Sequence, residues 1–305
     1  MLKYFFNRMI ISIATILILV TVVFILVRII PGDPFQDEKM TPEIKANMMA
    51  YYGFDKPIYI QYGKYISNLL KGDLGVSLKT NRPIVKIIRD TFPYSADLGI
   101  RALVFALAAG LLLGINSSLH AGKAWDYICI IIAVIGVSIP DFITGSLVQY
   151  AFAVKLKLFP VALWKGFKYT ILPTLTLGLY PLSLIARNMR TSMMEVIHQD
   201  YIMTAEAKGL SPFQIVWNHQ IRNAIIPVVT LLGPLTASIL TGTFVVEMIF
   251  AVPGMGRYYV TGLTELDYSM ILGMTVFYGC FLVLANFVVD MLYGLIDPRI
   301  RILGK

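Results

Sequence analysis

Long apolar runs, with charges confined to the gaps between them, decide what this chain can fold into. The first run, Met9 to Val27, holds no charged residue. It is long enough to cross roughly 30 Å of hydrocarbon as a helix. Further runs occupy about Leu98–Leu119, Tyr127–Val154, Thr170–Ala186, Ile225–Phe250 and Met270–Ile296. Hydrophobic residues make up 57% of the 305 and charged residues only 14%, against about 25% charged in an ordinary soluble domain. A soluble fold of this size could not cover its surface with so few charges. The expected fold class is therefore an all-α polytopic membrane protein with six transmembrane helices.

Other function classes drop out in turn. A net charge of +8 could suggest nucleic acid, but the basic residues are scattered over membrane flanks and loops, with no single basic face. They suit loops facing anionic lipid better, so a lipid membrane and no nucleic acid is the expected environment. Cys129 and Cys280 fall in separate apolar runs, and His120, His198 and His219 have no ligand-like spacing, which argues against a disulfide framework or a bound metal. Neither a phosphate-binding G-x-x-x-x-G-K-[ST] loop nor an H-E-x-x-H pair occurs. The chain is expected to bind no cofactor and to catalyse nothing itself.

Lys3 and Arg8 precede the first run, as they would in a signal peptide. The run exceeds a signal h-region, lacks a small-residue cleavage site, and ends in Arg28 and Pro31-Gly32-Asp33-Pro34, so an uncleaved first helix is expected. Six spans put both termini on one side. With the N-terminus inside, the inner segments hold Lys3, Arg8, Lys123, Arg187, Arg190, Lys208, Arg222, Arg299, Arg301 and Lys305, twice the tally of the short outer loops with Lys155, Lys157, Lys165, Lys168 and Arg257. The balance favours cytoplasmic termini.

Two polar segments are long enough to hold structure, and they divide the chain into 1–30 (tail and first span), 31–97 (outer segment) and 98–305 (spans two to six). In the outer segment Thr41-Pro42-Glu43 reads as a helix start and Gly53 as a stop. Ile58, Tyr62, Ile66 and Leu69 recur at helical spacing before Gly72, and Ile84, Ile87, Ile88 and Thr91 repeat the pattern. Short amphipathic helices of this kind cannot build a core alone and are expected to lie against the membrane rim or another subunit. Inside, the segment 187–224 carries Asp200-Tyr201-Ile202-Met203-Thr204-Ala205-Glu206-Ala207-Lys208-Gly209-Leu210-Ser211-Pro212. Good helix formers end at Gly209, and Ser211-Pro212 starts a second helix with proline in its first turn. A helix–glycine–helix element exposed below a membrane bundle is a shape another protein could grip.

Several stretches now resemble one family, the integral-membrane permease subunits of binding-protein-dependent ABC importers, in the B-type branch of the oligopeptide/dipeptide/nickel permeases. They are Arg28-Ile29-Ile30-Pro31-Gly32-Asp33-Pro34, Tyr52-Gly53-Phe54-Asp55-Lys56-Pro57, Gly72-Asp73-Leu74-Gly75-Val76-Ser77, Ser138-Ile139-Pro140-Asp141-Phe142, Ala207-Lys208-Gly209 with Arg222-Asn223-Ala224, Glu247-Met248-Ile249-Phe250 with Pro253-Gly254-Met255-Gly256, and Asp297-Pro298-Arg299. The resemblance implies a type I ABC importer permease fold in a bacterial inner membrane. It implies a homologous C-type permease supplying the other half of the pathway, and two cytoplasmic ABC ATPases that use ATP and Mg. An extracytoplasmic peptide-binding protein would deliver the cargo, with oligopeptides expected ahead of dipeptides or nickel and metal chelates.

By the same resemblance, Met203 to Ser211 is the ATPase-coupling loop. Aligned on Gly209, the family's first glutamate is replaced by Met203, and the later proline comes only at Pro227. What carries over is Ala205 as a small residue for close helix approach, Gly209 as the turn, and the flanking helix as the coupling element.

Asp141, Glu247 and Asp290 lie in or near apolar runs, where an ionised side chain costs roughly 2.5–3.5 kcal/mol at the bilayer centre. They and Pro140, which breaks the third span, are candidate pathway or gate positions that could meet a peptide's amino terminus. The plainer alternative is that the carboxylates cap helix breaks or pair with Arg101 or Arg28. Pro173, Gly178 and Pro181 in the fourth span and Gly233, Pro234 and Gly242 in the fifth allow bending. An ion-coupled secondary transporter is the rival from another class, but it would need inverted repeats that the sequence does not display.

Overall fold

The computed structural model describes residues 2–29, 56–241 and 244–296. The readings at Thr41-Pro42-Glu43, Gly53 and Gly242, the motif stretches Pro31–Pro34, Tyr52–Asp55 and Asp297–Arg299, and the side chain of Asp290 lie outside them. Every regular element among the described residues is helical: α1 (Leu2–Ile29), α2 (Ile58–Leu70), α3 (Ile84–Leu119), α4 (Ala124–Ser138), α5 (Asp141–Val148), α6 (Phe167–Ile197), α7 (Asp200–Ala207), α8 (Pro212–Ile215), α9 (Ile226–Thr241), α10 (Phe244–Ile249), α11 (Gly256–Thr264) and α12 (Tyr268–Ile296). Four of these are long and apolar enough to span a membrane, and α4 with α5 would make a fifth. The expected fifth span is carried by the shorter α9 and by α10, so the count of six is not reproduced.

One expectation about continuity changes. Ile84 to Thr91 is not a separate amphipathic helix. It forms the first turns of α3, which continues through Pro93. The break expected at Pro140 in the third run is present, the axis turning by 113° between Ser138 and Asp141. Ile139 adopts an extended conformation (φ −100°, ψ 122°), as a residue before proline prefers. The chain then continues beyond α5 in π-helical turns at Gln149–Lys155.

The chain forms two compact units, with boundaries inside α3 after Pro93, after Pro253, and inside α12 after Phe287. In the first unit, residues 1–93 and 254–287, α2 lies on α1. The Phe24 ring meets Tyr62 edge-on and stacks on Tyr65, and Tyr62 Oη is 2.6 Å from Thr21 Oγ1. The outer helix therefore finds its apolar partner in its own chain, although Ile58, expected on that face, is 60% exposed. Asp267 caps α12 by accepting the Met270 N–H (3.0 Å), and it also accepts Ser77 Oγ–H at 2.5 Å and the Lys79 N–H at 3.3 Å. The motif loop around Gly72–Ser77 is thereby tied to the start of the last helix.

In the second unit, residues 94–253 and 288–305, α6 is the central post. It buries Leu172, Leu177, Leu182, Ile185, Met189 and Met193 and packs chiefly on α4. Small residues make that approach possible. A Cβ on Gly136 would lie 2.2 Å from Ser183 Oγ, and one on Gly114 of α3 would lie 2.6 Å from the Ala186 carbonyl. In membranes such close backbone contact replaces the hydrophobic drive between helices.

Candidate functional site

α6 does not stop where its apolar run ends near Ala186. It continues as helix to Ile197, about 16 Å further at 1.5 Å per residue. This stalk carries the segment singled out by sequence. α7 has Asp200 in its first turn, favourable at the positive end of the helix dipole. It ends at Gly209, whose φ of +76° places it in the left-handed region. The Gly209 N–H reaches the Glu206 carbonyl (2.9 Å) and the Leu210 N–H reaches that of Ala205 (3.3 Å), the paired bonds of a Schellman C-cap.

The second helix opens with a capping box. Ser211 N–H donates to Gln214 Oε1 at 3.0 Å, Ser211 Oγ accepts the Gln214 N–H at 3.4 Å, and Pro212 fills the first helical position. Beyond α8 the chain runs on through π-helical turns at Val216–Ile221 and a helical turn at Arg222–Ala224. The result is the helix–glycine–helix that local signals foretold.

Burial sorts the hairpin's residues by role. Ile202, Ala205 and Ile215 form a small core, closed by half-buried Val196 and Leu210. Ala205 thus permits close helix approach within the hairpin itself and does not face outward. Met203 (57% exposed), Thr204, Glu206, Ala207, Lys208, Gly209 and Ser211 face outward. Sequence reasoning passed over Phe213 and Trp217, exposed and stacked with ring centres 6.3 Å apart. Their spacing of four along a helix was the available signal.

The two described membrane carboxylates sit on helices that pack on each other, α5 and α10. Asp141 is the first residue of α5, half-buried, directly after the exposed Pro140 at the bend. Glu247 is 1% exposed within α10, beside Phe250 of the apolar core. Of the suggested basic partners, Arg101 meets Asp97 at 2.9 Å, and Arg28 meets Gln61 Oε1 (2.8 Å) and the Phe24 ring.

A different aspartate, missed by sequence reasoning, holds a buried ion pair in this unit. Asp126, 2% exposed in the first turn of α4, receives Arg190 of α6 in a fork, Nε to Oδ1 and Nη2 to Oδ2, both 2.8 Å. Ser117 Oγ–H of α3 also donates to Oδ1, and the Gly122 N–H donates to Oδ2 at 2.9 Å. Four donors thus fill the four lone-pair positions of the carboxylate. Sequence reasoning counts Arg190 among the inner-segment charges and passes over Asp126, because 64 residues separate them.

Comparison with known proteins adds to this geometry. The model of the family described as binding-protein-dependent transport system inner membrane component matches residues 106–302, and its N-terminal companion matches residues 1–99. The chain is 46% identical to the dipeptide transport system permease protein DppB of Bacillus subtilis, over 100% of both chains. It is 41% identical to the oligopeptide transport system permease protein OppB of Haemophilus influenzae, over 99% of this chain and 100% of that one. Among solved structures, an amino acid ABC transporter matches with TM-score 0.54 at 12% identity, covering 70% of this chain and 94% of the other. The methionine ABC transporter MetNI in inward-facing form matches with TM-score 0.50 at 18% identity, covering 70% and 96%. At such identities these two likenesses speak for the fold alone.

Proposed function

Since the chain belongs to the family of binding-protein-dependent transport system inner membrane components, we propose that it is the permease subunit of an ATP-driven peptide importer and forms half of the translocation pathway. The observation that carries this reading is end-to-end likeness to permeases named for dipeptide and oligopeptide transport. The hairpin on the α6 stalk supports it physically. A chain without a nucleotide site needs a stiff handle on a partner that hydrolyses ATP, and packed helices move as units.

In this reading two cytoplasmic ABC ATPases grip the outward face of α7, at Met203, Thr204, Glu206, Ala207 and Lys208. A homologous C-type permease supplies the other half of the pathway, and an extracytoplasmic binding protein presents the peptide. Both termini lie in the cytoplasm, and ATP with Mg acts only on the partners. ATP binding draws the handles together and opens the pathway outward, and hydrolysis resets it. Pro140, Asp141, Glu247 and Asp290 are proposed to border the pathway, with the 113° turn at Pro140 as its most distinctive feature.

The test is uptake in vesicles reconstituted with the partner subunits and supplied with labelled di-, tri- and pentaalanine. Uptake that requires internal ATP and the binding protein is expected; uptake driven by an ion gradient without nucleotide would overturn the proposal. The higher identity to a dipeptide permease, 46% against 41%, favours a dipeptide importer as second reading, and the length series decides it.

Within the hairpin, Gly209→Val is expected to cost roughly 1–2 kcal/mol locally, because a β-branched residue resists positive φ. Apart from its chain neighbours, nothing lies within 4 Å of where its Cβ would sit, so the effect is conformational. The variant should insert normally yet fail to hold the ATPases in a pull-down; normal capture and transport would sink the handle.

A further inference from the structure

From the four-donor cage around Asp126, we infer that Asp126, Arg190 and Ser117 form a mechanical clamp that makes the end of α3, the start of α4 and the α6 stalk with its hairpin one rigid body. They are positioning residues for ATP-coupled movement. The inference rests on the coupling role proposed for the hairpin and goes beyond it, because it names what receives the displacement.

The argument is one of placement. Arg190 lies on α6 between the hairpin and the prolines at Pro173 and Pro181. Each proline removes one backbone hydrogen bond and leaves a point where the helix bends. A push on the hairpin alone would be absorbed by bending at those points. Below the clamp the stalk is continuous, about 10 Å of helix from Arg190 to Ile197, and Val196 in its last turns packs into the hairpin core. Above it, Gly114 lets α3 approach α6 closely, which brings Ser117, one turn on, to the same carboxylate. The mechanical path runs from the hairpin core to Val196, along the continuous helix to Arg190, and from there to Asp126 and Ser117.

The chemistry suits a clamp. A forked guanidinium–carboxylate pair fixes direction as well as distance, whereas apolar surfaces slide. Asp126 is 2% exposed, so water does not compete for its oxygens. The backbone N–H of Gly122 draws the α3–α4 turn into the same cage.

The experiment uses the full complex with its ATPases, with Cys129→Ala and Cys280→Ala removing the native thiols. Nitroxides are placed at Lys123 and Gln199, both exposed, one beside the clamp and one at the foot of the hairpin. Pulsed EPR then gives their separation without nucleotide and with Mg-ATP bound to hydrolysis-blocked ATPases. The native chain should show one narrow distance with the same mean in both states. Asp126→Asn should broaden it and make it shift on ATP binding. Arg190→Lys keeps the charge and loses the fork, so it should fall between, and it decides the matter if Asp126→Asn does not assemble. A native distance that changes on ATP binding, or variants as rigid as the native chain, would overturn the clamp. Absence of the ATPases from the native preparation would instead strike at the coupling role, and the two failures are distinguishable.

Discussion

Asp126 and Asp267 are both aspartates 2% exposed, one in each unit, and the protein satisfies them in opposite ways. Asp126 is met by a full counter-charge, with a hydroxyl and one backbone N–H filling the remaining sites. Asp267 relies on neutral donors in every bond described: a serine hydroxyl and two backbone N–H groups, one of them at the start of its own helix. Each ties distant stretches of chain together. Removing one side of the first leaves a charge stranded, while removing the second takes the acceptor only from neutral donors, a helix cap, a hydroxyl and the Lys79 N–H. The difference teaches that a buried carboxylate becomes a brace between helices when its partner is a charge on another helix, and a local fastening when its partners are backbone amides.

The variants that break the comparison follow in order of size. Asp126→Asn leaves Arg190 without its counter-charge, and loss of one member of a buried pair costs roughly 3–5 kcal/mol. The lower end applies because Arg190 keeps 30% exposure. The unfolding midpoint of the purified chain in detergent should fall accordingly. Asp267→Ala loses the cap and should cost about 1–2 kcal/mol by the same measurement. Ser117→Ala removes a single neutral donor, while Ser77→Ala removes a donor to Asp267 and the acceptor of the Thr80 N–H (3.1 Å); each lost bond should cost about 1 kcal/mol or less. A smaller loss for Ser117 than for Ser77 would fit this count of bonds. A larger loss for Ser117 would show that its bond is strengthened by the ion pair beside it.

Legibility in the sequence followed the range of the interactions. The hairpin was readable because its signals are local: Gly209 at positive φ and Ser211-Pro212 as a cap lie within four residues of one another. The break at Pro140 was readable for the same reason, although its 113° angle depends on packing that no window of sequence contains. The merging of Ile84–Thr91 into α3 was hidden by Arg89, Asp90 and Pro93, which interrupt the apolar pattern without ending the helix. The attachment of α2 to α1 was hidden because Phe24 and Tyr62 meet only in three dimensions. Asp126 and Arg190 were invisible as a pair, since each sits at a span's edge where a solvated flank charge is the ordinary expectation. Among candidate membrane carboxylates, depth in an apolar run drew notice to Asp141 and Glu247, while the brace belonged to a residue at the margin.

The central claim is that this chain works as one half of an ATP-coupled pathway, gripped through its hairpin. The most direct test is to tag the chain at its C-terminus, extract it gently from its native membrane and identify what comes with it. The account predicts two ABC ATPases and a second, homologous permease, with the Gly209→Val chain losing the ATPases. A chain that emerges alone or as a homodimer, with no nucleotidase bound, would contradict it and return ion-coupled transport to consideration.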